Sequence, residues 1–183
     1  MDEKKKKKKE VIEDETQQQE TEATEPTTLI EKEIVRFNEI VAKDPQRAYS
    51  RYGYSLLCSL PPEQMAREVL RLRKRTDDPF DLYNRGVFEA QDGKPEKALK
   101  DFQKSYAVLA EMDEATAVHY LRRQPTFLAD LAFNLYLCHC EQDQKSEGKK
   151  EFKQVQKLAK GLYPDQETSS ALWEAFAEVE SEL

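Results

Sequence analysis

The chain has 183 residues, 36% of them charged, and a formal net charge of −7, against an ordinary charged share of about 25%. The acidic balance argues against nucleic-acid binding by overall charge, and no apolar run approaches the ~20 residues that a membrane span needs. The lysines near the N-terminus are followed by no apolar segment, so they do not read as a secretory signal.

Five glycines and no run of β-branched residues point to an all-α protein rather than a sheet protein. Cys58, Cys138 and Cys140 form an odd, sparse set inside helical patterns. That suggests a reducing compartment and no disulfide framework, so a cytoplasmic location is expected.

Residues 1–28 read as a disordered charged tail. Lys4 to Lys9 form a block of six, an acidic Gln/Thr-rich stretch follows, and only Val11 and Ile12 are bulky and apolar. Such a segment buries too little surface to offset its ordering entropy. If the lysine block is a localisation signal, the address would be nuclear.

Residues 29–183 read as one helical domain. Ile30, Ile34, Phe37 and Val41 fall at helical spacing, an amphipathic stripe that ends at Asp44-Pro45. A first helix pair follows from Pro45 to about Arg75. Tyr49, Tyr52 and Leu56 mark one face of its first helix, and Met65, Val69 and Leu72 mark the second.

The next pair is the clearest. Leu82, Gly86 and Ala90 lie on one helix, and Ala98, Phe102, Ser105 and Leu109 form one stripe of another. Asp78 suits an N-cap with Pro79 at the first helical position. Gly93 suits the left-handed residue after a helix end, and Pro95 opens the next helix. A glycine inside a helix costs about 1 kcal/mol relative to alanine, so Gly86 has a packing reason. Gly86→Leu should force the paired helices apart, while Gly86→Ala should be nearly neutral.

The segment from Met112 to Pro125 reads as an insertion, helical through Ala115, Val118 and Leu121 and broken at Gln124-Pro125. A third pair places Leu128, Leu131, Leu135 and Cys138 against Gly148, Phe152, Val155 and Ala159. Its register is offset by 50 residues (148 against 98). The last helix carries Leu172, Phe176, Val179 and Leu183, with Trp173 beside them.

Catalytic signatures are lacking, and neither an enzyme nor a cofactor is expected. Cys138-His139-Cys140 invites a metal reading, but neighbouring residues of a helix point in different directions. Packed core cysteines are the plainer account. The basic stretch Arg67, Arg71, Arg73, Lys74 and Arg75 reads as a solvated face with ion pairs to Glu63 and Glu68, or else as a patch for an acidic partner.

Gly86, Gly93, Ala98, Phe102 and Ser105, with Asp-Pro pairs 34 residues apart (44 and 78), resemble the tetratricopeptide repeat (TPR) family. Pro95 and Ala110 depart from its pattern. The resemblance implies a right-handed TPR-like helical-hairpin solenoid of two to three degenerate repeats. An N-terminal cap helix and a C-terminal capping helix would close it. It also implies a protein–protein interaction module, an adaptor, chaperone or assembly factor that binds a partner segment on its concave face. The matching ligand-facing positions are Arg51, Tyr54, Phe80, Tyr83, Asn84, Val87, Phe133, Asn134 and Leu137. Their mix of aromatics and amides suits an apolar side chain and its peptide backbone. The alternative is a structural protein that dimerises through its terminal helices.

Overall fold

In the computed structural model, residues 28–43, 60–74, 76–165 and 169–183 are described. The expectations for the tail, and for the helix that would hold Arg51 and Tyr54, lie outside them. The described residues form eight helices and no strand. These are α1 (Leu29–Lys43), α2 (Pro62–Leu72), α3 (Pro79–Gln91), α4 (Pro95–Glu111), α5 (Glu114–Leu121), α6 (Phe127–Cys140), α7 (Lys145–Leu162) and α8 (Ser170–Glu182). None is long and apolar enough to cross a membrane. The all-α expectation therefore holds.

The α3/α4 hairpin follows its local signals closely. The Asp78 carboxylate accepts from the Asp81 N–H at 2.9 Å, with Pro79 at the first helical position. Gly93 adopts φ +74°. Its N–H donates to the Ala90 carbonyl and the Lys94 N–H donates to that of Glu89. These are the two bonds that close a helix end through a left-handed residue. The stripe of Ala98, Phe102, Ser105 and Leu109 is buried throughout, and the Ser105 hydroxyl donates to the Pro79 carbonyl at 2.8 Å.

The α6/α7 hairpin repeats this turn without a glycine. Asp143 takes φ 57°, its N–H donates to the Cys140 carbonyl, and the Gln144 N–H donates to that of His139. Asp143 stands at Gly93's place in the 50-residue register (143 against 93). Aspartate is one of the few residues other than glycine that visits this conformation.

The two hairpins solve close helix approach in opposite ways. In α3/α4 the small residue is on the first helix, where a Cβ on Gly86 would come within 2.6 Å of the Phe102 ring. In α6/α7 the small residue is on the second helix. A Cβ on Gly148 would stand 3.1 Å from both the Tyr136 ring and its carbonyl oxygen. Tyr136 occupies Gly86's place in the register (136 against 86).

Around the hairpins, α1 packs along α2, and α4 and α8 both pack on α6. Phe37 of α1 lies parallel to Phe88 of α3 at 6.3 Å, and the Arg36 guanidinium pairs with Asp92 at the α3 end. Arg71 of the basic stretch bridges Glu68 and Asp81. That guanidinium holds the Asp81 carboxyl below the usual carboxylate range. Arg73 pairs with Glu33 at 2.6 Å. The insertion forms a separate short helix, α5, capped by Asp113 on the Thr116 N–H and ended before Pro125.

Candidate functional site

The positions matched to a concave ligand-facing row divide into two groups. Phe80, Asn84 and Leu137 are half-buried, whereas Tyr83, Val87, Phe133 and Asn134 are at most 5% exposed. The buried four pack inside the chain's own core, whereas the resemblance implied that their side chains face a partner. The rows on α3 and α6 meet each other: the Asn134 amide donates to the Tyr83 hydroxyl at 2.8 Å. Tyr83 also stands edge-on to Phe127 at 5.0 Å and lies 5.6 Å from Phe102.

The inserted helix covers the start of α3. Tyr120 of α5 stacks on Phe80 at 4.5 Å, and Phe127 meets Phe80 edge-on at 4.6 Å. The Tyr120 hydroxyl donates to the Asp78 carboxylate at 2.6 Å and accepts from the Phe80 N–H at 3.2 Å. Burial, reinforced by the Asp78 carboxylate, pushes this phenol above its ordinary range, so it remains a donor well into alkaline pH. The expected result of Tyr120→Phe is a loss of about 1–2 kcal/mol. Faster amide exchange over residues 114–121 should accompany it, measured by hydrogen–deuterium exchange. Unchanged exchange there would mean that α5 is held by other contacts.

Every residue of α6 except Leu137 and Cys140 is buried. The sequence FLADLAFNLYLCHC is apolar on every side, and a helix of that kind belongs in the interior. This signal was legible, and it runs against the ligand-facing row that the resemblance implies for this helix. Cys138 lies in the core. The His139 ring sits between Gln144, 3.1 Å from Nδ1, and Glu151, 3.1 Å from Nε2. Glu151 also accepts from Gln103 of α4 at 2.7 Å, so this partly buried polar chain joins the two hairpins.

A second surface was missed. Helix α7 buries Gly148, Phe152, Val155 and Ala159 and turns Lys149, Lys153 and Lys157 outward, all exposed. Lys157 also borders an open cleft of about 710 Å³ between α4, α5 and α7. Its apolar lining is Tyr106, Met112, Leu158 and Leu162, all half-buried. The lysines recur every four residues in the sequence, so the signal was present beside the apolar stripe of this helix.

Comparison with protein-family models, with curated proteins and with solved structures finds no match to this chain, so the resemblance to tetratricopeptide repeats rests on its own residues.

Proposed function

We propose that the chain is a TPR-like helical-hairpin module that binds a segment of another protein, as an adaptor, chaperone or assembly factor in the cytoplasm. The observation that carries this reading is the repeated hairpin. Gly93 and Asp143 close equivalent turns in equivalent left-handed conformations. Phe102 and Phe152 occupy equivalent buried places behind them. Repeated hairpins bury their mutual faces and leave long outer helix faces for recognition. The terminal helices act as caps: α8 buries Leu172, Ala175, Phe176 and Val179 against its own chain, with Phe176 edge-on to Phe152 at 5.7 Å. That leaves little of its apolar surface for a dimer.

Sedimentation velocity of the full chain over a wide concentration range tests the reading, together with cross-linking to partner proteins. The expected result is a monomer that forms a stoichiometric complex with a specific protein. A concentration-dependent dimer broken by Trp173→Ala, or a monomer that captures nothing, would set the reading aside.

A further inference from the structure

We propose that the outward face of α7 and the cleft beside it form a docking surface for an acidic segment of a partner protein that carries bulky apolar side chains. This rests on the reading of the chain as a protein-binding module and names the chemistry of what it binds.

The first argument is electrostatic. Several basic side chains of the fold meet acids: Arg36 with Asp92, Arg71 with Asp81, Arg73 with Glu33, Arg85 with Asp101 and Lys104 with Asp77. Among the described residues, Lys149, Lys153 and Lys157 have no such partner. Two of the nearby acids are engaged elsewhere. Glu147 reaches Lys150 at 3.4 Å, and Glu151 faces His139. Glu114 stands on the rim of the cleft.

Helix stability does not call for this arrangement. Like charges four residues apart repel along a helix, and cations near its N-terminal end oppose the macrodipole. Lys145 does so here, on a helix with no side-chain cap. The outcome is a concentrated positive strip on a chain whose net charge is −7. Such a strip steers an oppositely charged partner and fixes its orientation.

The second argument is the apolar cleft, which shares Gln154 and Lys157 with the lysine strip. Tyr106, Met112, Leu158 and Leu162 offer a floor for large apolar side chains, and methionine adapts its shape to what packs on it. From Lys149 to Lys157 the helix rises about 12 Å, the reach of roughly four residues of extended chain. An acidic segment lying along the strip can therefore place its next apolar residue in the cleft. A purely anionic ligand would leave the cleft empty, and a purely apolar one would leave the lysines unpaired.

The test uses the full chain and a short labelled peptide of glutamates interrupted by leucine and phenylalanine, followed by fluorescence anisotropy. The expected result is binding that weakens as salt rises. It should fall about tenfold or more when Lys149→Glu, Lys153→Glu and Lys157→Glu are combined. Because these side chains are exposed, the helical circular-dichroism signal should not change. Met112→Ala should weaken binding several-fold, and an all-glutamate peptide of equal charge should bind markedly less well.

Equal binding by the triple variant overturns the proposal. So does equal binding of the all-glutamate peptide, or tighter binding of RNA or of anionic vesicles at the same lysines. Cross-linking of the chain's own acidic stretch, Glu13 to Glu25, to this face in place of the probe would overturn it as well. The two readings fail separately. A chain that captures no protein loses the module reading. A chain that captures its partner equally well with and without the three reversals loses only this docking face.

Discussion

Gly86→Leu is expected to be among the most damaging single changes in the domain, lowering the thermal midpoint by about 5–15 °C at roughly 2–4 °C per kcal/mol. The cause is geometric. A Cβ at this position would stand 2.6 Å from Cε1, 2.8 Å from Cδ1 and 3.0 Å from Cζ of Phe102. That ring is fully buried, so it has no solvent side to move toward. Even Gly86→Ala, expected to be near-neutral where helix propensity offsets crowding, should now be destabilising. The gain of about 1 kcal/mol for alanine over glycine in a helix is set against an overpacking cost of about 1–3 kcal/mol. A smaller side chain opposite should reverse the sign. In a Phe102→Leu background, Gly86→Ala should become neutral or stabilising, a coupling of about 1 kcal/mol or more in a double-mutant cycle. Thermal unfolding followed by circular dichroism reads all four proteins. A higher midpoint for Gly86→Ala in the otherwise unchanged chain would show that the helices do not meet there.

That Gly86 makes room for the second helix was legible in sequence, as an unexplained glycine inside a helical pattern, but Ala98 was expected opposite it and the Phe102 ring stands there instead. The caps at Asp78 and Gly93 and the break at Gln124-Pro125 were fully legible. Each is decided within a few residues of chain. The mirrored solution in α6/α7 was half legible. Gly148 stood out as the counterpart of Ala98, but Tyr136, which fills the space that Gly148 leaves, looks like any aromatic on an apolar helix. Least legible was the meeting of Tyr83 with Asn134. Those residues are 51 apart, and their contact depends on how one hairpin docks on another. Helical periodicity states which residues share a face; it does not state whether that face meets solvent or another helix. The lysine strip of α7 shows the converse limit, since its period is visible in sequence but the lack of ion pairs to it among the described residues is a property of the packed chain.

Tyr83→Ala should cost about 3–5 kcal/mol, the usual range for truncating a buried aromatic ring to a methyl group. The ring packs against Phe102 and Phe127 and is fully buried. The hydroxyl adds a smaller, separable part. Tyr83→Phe keeps the ring but leaves the Asn134 amide donor buried without its acceptor, at a cost of about 1–3 kcal/mol. Removing the other partner as well, with Tyr83→Phe and Asn134→Leu together, should recover much of that loss, because the Asn134 amide is then no longer buried without its acceptor. Asn84→Ala is the internal control. Its side chain is only half-buried, and surface changes of this kind usually stay within about 0.5 kcal/mol. Urea unfolding of the four variants therefore separates a core residue from a contact residue on neighbouring positions of one helix. Should Tyr83→Ala keep the wild-type midpoint and instead lose partner capture, Tyr83 would be a surface contact, and the docking of α6 against α3 would have to be different in solution. The geometry leads to the opposite result, with Tyr83→Ala largely unfolding the hairpin pair and Asn84→Ala leaving it intact.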